Sequence, residues 1–275
     1  MMPQGEPATL VVASSNDLAS RTLAAALING HGFESTGVSL LGKPVFQRDS
    51  YLLFFFEGLI INPPDLDAYF NPQAYIFLSR HVAESGIASL TAHTTGNFSE
   101  KAEVGGRARE MGRVDPGLLK NYMVSLSKRQ TKVKDYEITI EATHHGPTSL
   151  LKPVLFVEIG AAERNWGDAK AASVVADALM ESLAERRVWG KVAIGFGGTH
   201  YPEKFSSFLV EGDMALSYVV PKYALGNIDE KMMGEMFQKT NSPVRYAALD
   251  WKGLGPHKER ISALVEKFGL EAIRV

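Results

Sequence analysis

Four short stretches of the chain share one pattern, an apolar run followed by a polar turn that carries His or Glu. They are Ser89-Leu-Thr-Ala-His93 with Gly96-Asn97, Ile140-Glu-Ala-Thr-His144-His145-Gly-Pro, Phe156-Val-Glu158-Ile-Gly160 and Ile194-Gly-Phe-Gly-Gly-Thr-His200-Tyr-Pro. Imidazoles and carboxylates hold catalytic metals and move protons near neutral pH. If the four strands run the same way, His93, His144 or His145, Glu158 and His200 converge at their carboxyl ends, where open α/β sheets bind ligands. Three His and a carboxylate suffice for a zinc site with a position left for water. His144 and His145 point to opposite faces of a continuing strand, so at most one reaches a shared ion. Glu158 lies in an apolar strand, where an unpaired carboxylate is costly, and a partner is expected for it. His81, in Ser79-Arg-His81 just past another apolar run, is a further candidate. His31 and His257 read as surface or capping residues.

Other chemistries are excluded. The 275-residue chain has no Cys, so disulfides, thiolate nucleophiles and Cys-bound zinc or iron–sulfur sites are impossible. The Gly-rich string before His200 lacks the Gly-Lys-Ser/Thr ending of a P-loop and the spacing of a dinucleotide fingerprint. Its Gly197 and Gly198 are instead candidates for backbone N–H groups facing an oxyanion. No Gly-x-Ser-x-Gly elbow is present, which argues against that class of serine hydrolase.

Charge is unevenly distributed. The net value is −2, yet Lys101 to Lys134 holds nine basic and three acidic side chains. That segment is therefore +6 and the remainder −8, the asymmetry of a phosphate-binding stripe on an acidic body.

The elements that must position these residues alternate between strand and helix. Strands are expected at Thr9 to Ser15, Leu52 to Phe56, Tyr75 to Leu78, Ala88 to Ala92, Tyr136 to Thr143, Val154 to Ile159, Lys191 to Phe196, Ala215 to Val220 and Ala272 to Val275. Helices are expected at Asp17 to Ile28, Pro116 to Arg129, Asp168 to Arg187, Asp229 to Gln238 and His257 to Phe268. Gly96 to Asp115 reads as a long mobile loop. The pattern predicts a single α/β domain over residues 1–275, a three-layer α/β/α sandwich with a mostly parallel or mixed sheet and a basic insertion at about 96–134. The longest apolar run, Leu52 to Phe56, cannot span a bilayer, and Met1 to Pro7 has no signal-peptide character. A cytoplasmic monomer or small homo-oligomer is expected.

Taken in order, Ser79-Arg-His81, Thr91-Ala-His93 with Gly96-Asn97, Gly105-Gly106, Lys120-Asn-Tyr122, Thr143-His-His-Gly-Pro147, Lys152-Pro153, Glu158-Ile-Gly160, Trp166, Gly197-Gly-Thr-His-Tyr201 and Pro221-Lys-Tyr223 resemble the archaeal and plant type of D-aminoacyl-tRNA deacylase. The resemblance runs from about Thr9 to Tyr223 and is weakest in the C-terminal third. One departure is Ser217-Tyr218, where the family pattern carries Gly-His. The resemblance implies a phosphorylase/peptidyl-tRNA-hydrolase-like fold, hydrolysis of the ester joining a D-amino acid to tRNA, a tRNA partner and zinc, one or two ions per chain. On this reading His93, His144 and His200 bind the metal, and Glu158, His145 and His81 act in catalysis. Gly197 and Gly198 face the carbonyl, and Arg107, Arg109, Arg113, Lys128 and Arg129 contact tRNA phosphates. Two alternatives stay open at this level. One is a zinc-dependent aminopeptidase-like or nucleoside phosphorylase-like enzyme on a similar scaffold. The other is a non-catalytic RNA-binding protein, although the basic stretch lacks interleaved aromatics on which bases could stack.

Overall fold

The computed structural model describes residues 9–275. In chain order the elements are β1 (Thr9–Ser14), α1 (Leu18–His31), β2 (Glu34–Leu40), β3 (Lys43–Arg48), β4 (Tyr51–Phe56), β5 (Tyr75–Val82) and β6 (Ser89–His93). Then come α2 (Pro116–Ser127), β7 (Glu137–Ile140), β8 (Val154–Ala161), α3 (Glu163–Trp166), α4 (Ala169–Ala184) and β9 (Val192–Gly198). The chain closes with α5 (Glu203–Glu211), β10 (Ala215–Pro221), α6 (Glu230–Gln238), β11 (Tyr246–Leu249), α7 (Lys258–Lys267) and β12 (Glu271–Arg274).

The class is α/β, as the alternation predicts, but the strands divide between two sheets. The larger sheet has the order β2-β3-β4-β1-β5-β8-β6-β7, and the smaller, all parallel, has the order β10-β9-β11-β12. The smaller sheet closes over its own core, which includes Ile194, Phe196, Val220, Met233 and Ala247. In the larger sheet β4, β1, β5 and β8 are parallel, whereas β6 is antiparallel to β8. The strands that carry the candidate residues therefore do not all run the same way.

Register explains how those residues meet nonetheless. Side chains alternate between faces along a strand. Leu78, Val157, Ile159, Leu90, Ala92 and Ile140 turn to one face, where α1, α2 and α4 cover them in the main core. The other face begins with Tyr75, Phe77 and Phe156, packed with Leu10, Val12 and Phe54. Farther along it changes from apolar to polar: Ser79 pairs with Glu158, Glu158 with Thr91, and His93 with Phe156.

Helix starts follow the expected signals. Asp17 accepts from the Ser20 amide, Asp168 from those of Lys170 and Ala171, and Asp229 from that of Met232. The β2–β3 hairpin escaped the sequence reading because β2 is largely exposed and polar and β3 buries only Val45, so no apolar run marks them. The segment expected to be a mobile loop is tied down along its length. Asn97 N–H donates to Glu110 O, Arg109 N–H to Ser99 O, Gly112 N–H to Thr95 O and Val114 N–H to Lys239 O. A segment whose backbone groups are satisfied in this way is ordered.

Lys120 is a basic residue that faces no phosphate. It is fully buried on α2, donating from Nζ to Leu209 O (2.6 Å), Gly212 O (2.7 Å) and Met214 O (2.9 Å). Burial pulls its pKa down to about 8. It clasps α2 to the end of α5 and the start of β10. Lys120→Met keeps the length but removes the donor from three carbonyls, and should cost about 2–4 kcal/mol in urea unfolding; a loss below about 0.5 kcal/mol would show that water replaces it without penalty.

Candidate active site

The polar half of that sheet face is a closed cluster of imidazoles and carboxylates. Glu141, the residue following β7, is its hub. It accepts from Thr91 Oγ1 at 2.5 Å and pairs with His200 Nε2 at 3.0 Å and His81 Nδ1 at 3.1 Å. Glu158, on β8, lies 3.6 Å from His81 Nδ1 and 3.7 Å from His93 Nε2. Both carboxylates are almost fully buried, with 3% and 4% of their surface exposed. The expectation that Glu158 must be paired holds.

Three histidines present a common orientation. His93, His144 and His145 turn Nδ1 toward the carbonyls of Thr94 (3.2 Å), Ala142 (2.8 Å) and Gly146 (2.6 Å). A carbonyl can only accept, so Nδ1 carries a proton and Nε2 is left to face the cluster, the arrangement by which outer hydrogen bonds fix metal-binding imidazoles. Ligand atoms of these three residues lie within 4.8 Å of one another, and the same holds for Glu141, His144 and His200. His93 Nε2 is buried with no hydrogen-bond partner. His145 reaches the cluster beside His144 because its φ is 39°, which departs from the extended geometry that would send the two rings apart. Both rings therefore face the same cluster, instead of the opposite faces that a continuing strand would give them.

Burial disfavours every charge here, and its effect is largest on each group. Hydrogen bonds from His200 and His81 overcome it at Glu141, whose pKa falls well below the usual carboxylate value. Glu158 is also lowered, as His81 and His93 outweigh both burial and the neighbouring Glu141 charge. The two carboxylates in turn overcome the burial of His81 and raise it to about 9. Burial and the adjacent imidazoles depress His144 strongly and bring His145 down to about 4. The cluster therefore combines two anions, a protonated His81, a His93 whose pKa Glu158 also raises, and the two neutral imidazoles of His144 and His145 at pH 7. Such a set can hold a divalent cation, donate a proton and accept another.

A cavity of about 230 Å³ opens onto this cluster, lined at one end by His81, Glu141, His144, His145, Glu158 and His200. Asp17, Arg80 and the segment 58–61 line the other end. Other candidates lie elsewhere. Gly197 abuts the backbone of Asp250 and Gly253, and Gly198 packs on Pro202 and Phe205, so neither lines this cavity. Tyr218, at the site of the family departure, donates to Gly112 O at 2.7 Å inside the smaller core. Of the basic residues, Arg107 is 73% exposed, while Arg109 is 22% exposed and paired with Asp229 and Glu100. Arg129 is 17% exposed and shares Glu181 with Lys128, and Arg113 is half-buried. The basic segment is thus partly consumed by internal ion pairs.

Glu141 was not singled out from sequence. Its signal was available: in the alternating string from Tyr136 it closes a strand just before His144, on the face of Thr139.

A family profile described as D-aminoacyl-tRNA deacylase matches residues 68–273. A D-aminoacyl-tRNA deacylase of Cenarchaeum symbiosum is 44% identical over 79% of this chain and 86% of its own length. One from Thermococcus onnurineus is 31% identical over 96% of this chain and 99% of its own. A crystal structure of a conserved protein of unknown function superimposes with a TM-score of 0.89 at 27% identity, covering 99% of this chain and 96% of that one.

Removing the hub should be far more damaging than removing a rim residue. Glu141→Ala strands buried donors and should cost about 3–5 kcal/mol, whereas His200→Ala, one-third exposed, should cost under about 1 kcal/mol. Urea unfolding of both variants distinguishes this from a site in which the two losses are equal.

Proposed function

Because the chain belongs to the D-aminoacyl-tRNA deacylase family, we propose that the buried His–Glu cluster is where it hydrolyses the ester joining a D-amino acid to the 3′ end of tRNA. The observation that carries this assignment is the face of three imidazoles whose Nδ1 atoms are all engaged by carbonyls, with His93 Nε2 buried, without a hydrogen bond and 3.7 Å from Glu158. That donor set fits zinc, with His93, His144 and His145 as ligands. His144 also belongs to the group with Glu141 and His200, but its single free Nε2 serves one ion, which favours one zinc across these two groups. When bound, zinc supplies Lewis acidity toward the ester carbonyl or the attacking water.

The remaining residues handle protons. Glu158, held ionised at the wall of the cavity, orients a water and accepts its proton as that water attacks the ester carbonyl. His81, with a pKa of about 9, is protonated at neutral pH and donates to the departing ribose oxygen. Glu141 holds His81 and His200 in place, and Tyr223, whose hydroxyl lies 3.1 Å from His200 Nδ1, orients that ring. The exposed cations of the basic segment, Arg107 foremost, meet the tRNA backbone. We place the enzyme in the cytoplasm, with its substrate. No helix among the described residues is long and apolar enough to cross a membrane.

The deciding assay incubates the protein with D- and L-tyrosyl-tRNA, with and without chelator. The expected result is release of D-tyrosine only, lost on chelation and restored by zinc, with His93→Ala and His145→Ala depleted of metal by elemental analysis. Release of both enantiomers, or full activity in either metal-free variant, would sink the assignment.

Salt dependence tests the cations separately. Arg107→Gln should reduce the slope of log(kcat/KM) against log[salt] by about 0.7–0.9, the contribution of one phosphate contact. Arg129→Gln should leave that slope unchanged, because its guanidinium is already spent on Glu181 and Ser125. Equal slopes for the two variants would remove Arg107 from the interface.

A further inference from the structure

A second cleft, of about 770 Å³, lies beside the catalytic cavity and shares Ile61 as a wall. Its size is within the range of ligand sites, about 300–1,000 Å³. The catalytic cavity, at about 230 Å³, is much smaller and has its polar end occupied by the cluster. An ester at the end of a polynucleotide must extend beyond it, and the second cleft is where a continuing chain finds room.

The lining matches a nucleotide. Pro63, Pro147 and Ile61 offer apolar surface to a base. Asp65 is exposed, and no hydrogen bond or ion pair engages its carboxylate among the described residues, whereas Asp67 is committed to Tyr75 and the Leu151 amide. Arg107 supplies a cation at the rim; its contact with Glu110 is loose at 3.6 Å, and Glu110 is held independently by Thr148 and Lys239. A free carboxylate suits the exocyclic amine of cytosine, and an arginine suits the phosphate.

The cleft is also joined mechanically to the histidines. Gly105 and Gly106 both have left-handed φ, 79° and 76°. A Cβ at Gly105 would fall 2.6 Å from Ile61 O, and one at Gly106 would fall 2.8 Å from Thr148 and against Gly146. The glycine pair thus presses Arg107 and its loop between the cleft wall and the turn that holds His144 and His145.

We propose that this cleft receives the cytidine immediately 5′ of the terminal adenosine of the tRNA 3′ end, with Asp65 reading the base and Arg107 holding its phosphate. The proposal rests on the deacylase reading and adds to it a site that senses the polynucleotide rather than the ester.

The test compares D-tyrosyl-tRNA with D-tyrosyl-adenosine, which lacks the cytidine. Ala68, exposed and lining the cleft, is replaced to fill it. Ala68→Trp, checked for an unchanged Tm, should lower kcat/KM on D-tyrosyl-tRNA by about tenfold or more while activity on D-tyrosyl-adenosine stays within about twofold. In the wild type, replacing the penultimate cytidine by uridine should lower kcat/KM about tenfold, and Asp65→Ala should erase that preference. An undiminished rate on tRNA, an equal fall on both substrates, or a cytidine preference that survives Asp65→Ala overturns the proposal. Failure of the underlying reading looks different: wild-type protein would release D-tyrosine from neither substrate.

Discussion

Two carboxylates buried side by side are the constraint around which this molecule is organised. Glu141 and Glu158 both sit in the interior, each disfavoured by burial, and Glu158 is further disfavoured by its neighbour. Such a pair persists only when hydrogen bonds and opposite charge converge on it. His81, lying between them, is the main answer, with His93, His200 and the Thr91 hydroxyl completing the shell. The protonation states of the whole cluster follow from that arrangement.

The sheet makes the convergence possible. Parallel β5 and β8 place Ser79 opposite Glu158 with His81 two residues on, 3.6 Å from its carboxylate, and antiparallel β6 brings Thr91 opposite Glu158 with His93 two residues on. Four adjacent strands thereby present chemistry on one face while their alternate residues fill the main core under α1, α2 and α4. Substitutions on either side of these strands are coupled through the backbone they share, since a shift of one residue in register would exchange core and site. Lys120 shows a related economy, a cation used entirely to tie three carbonyls together.

Much of the outline was legible in the linear pattern. Apolar runs such as Tyr75 to Leu78 and Val154 to Ile159 mark buried strands whatever the surroundings, and Asp17, Asp168 and Asp229 mark helix starts because capping is a local interaction. The hairpin strands β2 and β3 were not legible, since β2 is an exposed edge and β3 buries only Val45, which leaves no periodic apolar signature. The division into two sheets was equally hidden, because an apolar strand reads the same in either sheet.

Residue identity alone determined the kind of chemistry available. Without Cys, a metal or proton site has to be made of His and carboxylates, and the spacing of His93, His144, Glu158 and His200 after apolar runs was enough to nominate them. Only the tertiary structure decided how they are used. It admitted Glu141 as the hub, turned His145 inward beside His144, and placed Gly197 and Gly198 against Asp250 and Phe205 instead of the cavity. It also divided the basic segment into cations that face solvent, such as Arg107, and cations spent on internal partners, such as Arg129. The physical reason is one of range. Burial of apolar surface and helix capping are set by neighbours in sequence, whereas the partner of a charge is chosen by strand order and register, which bring together residues 50 or more positions apart, as with Thr91 and Glu141.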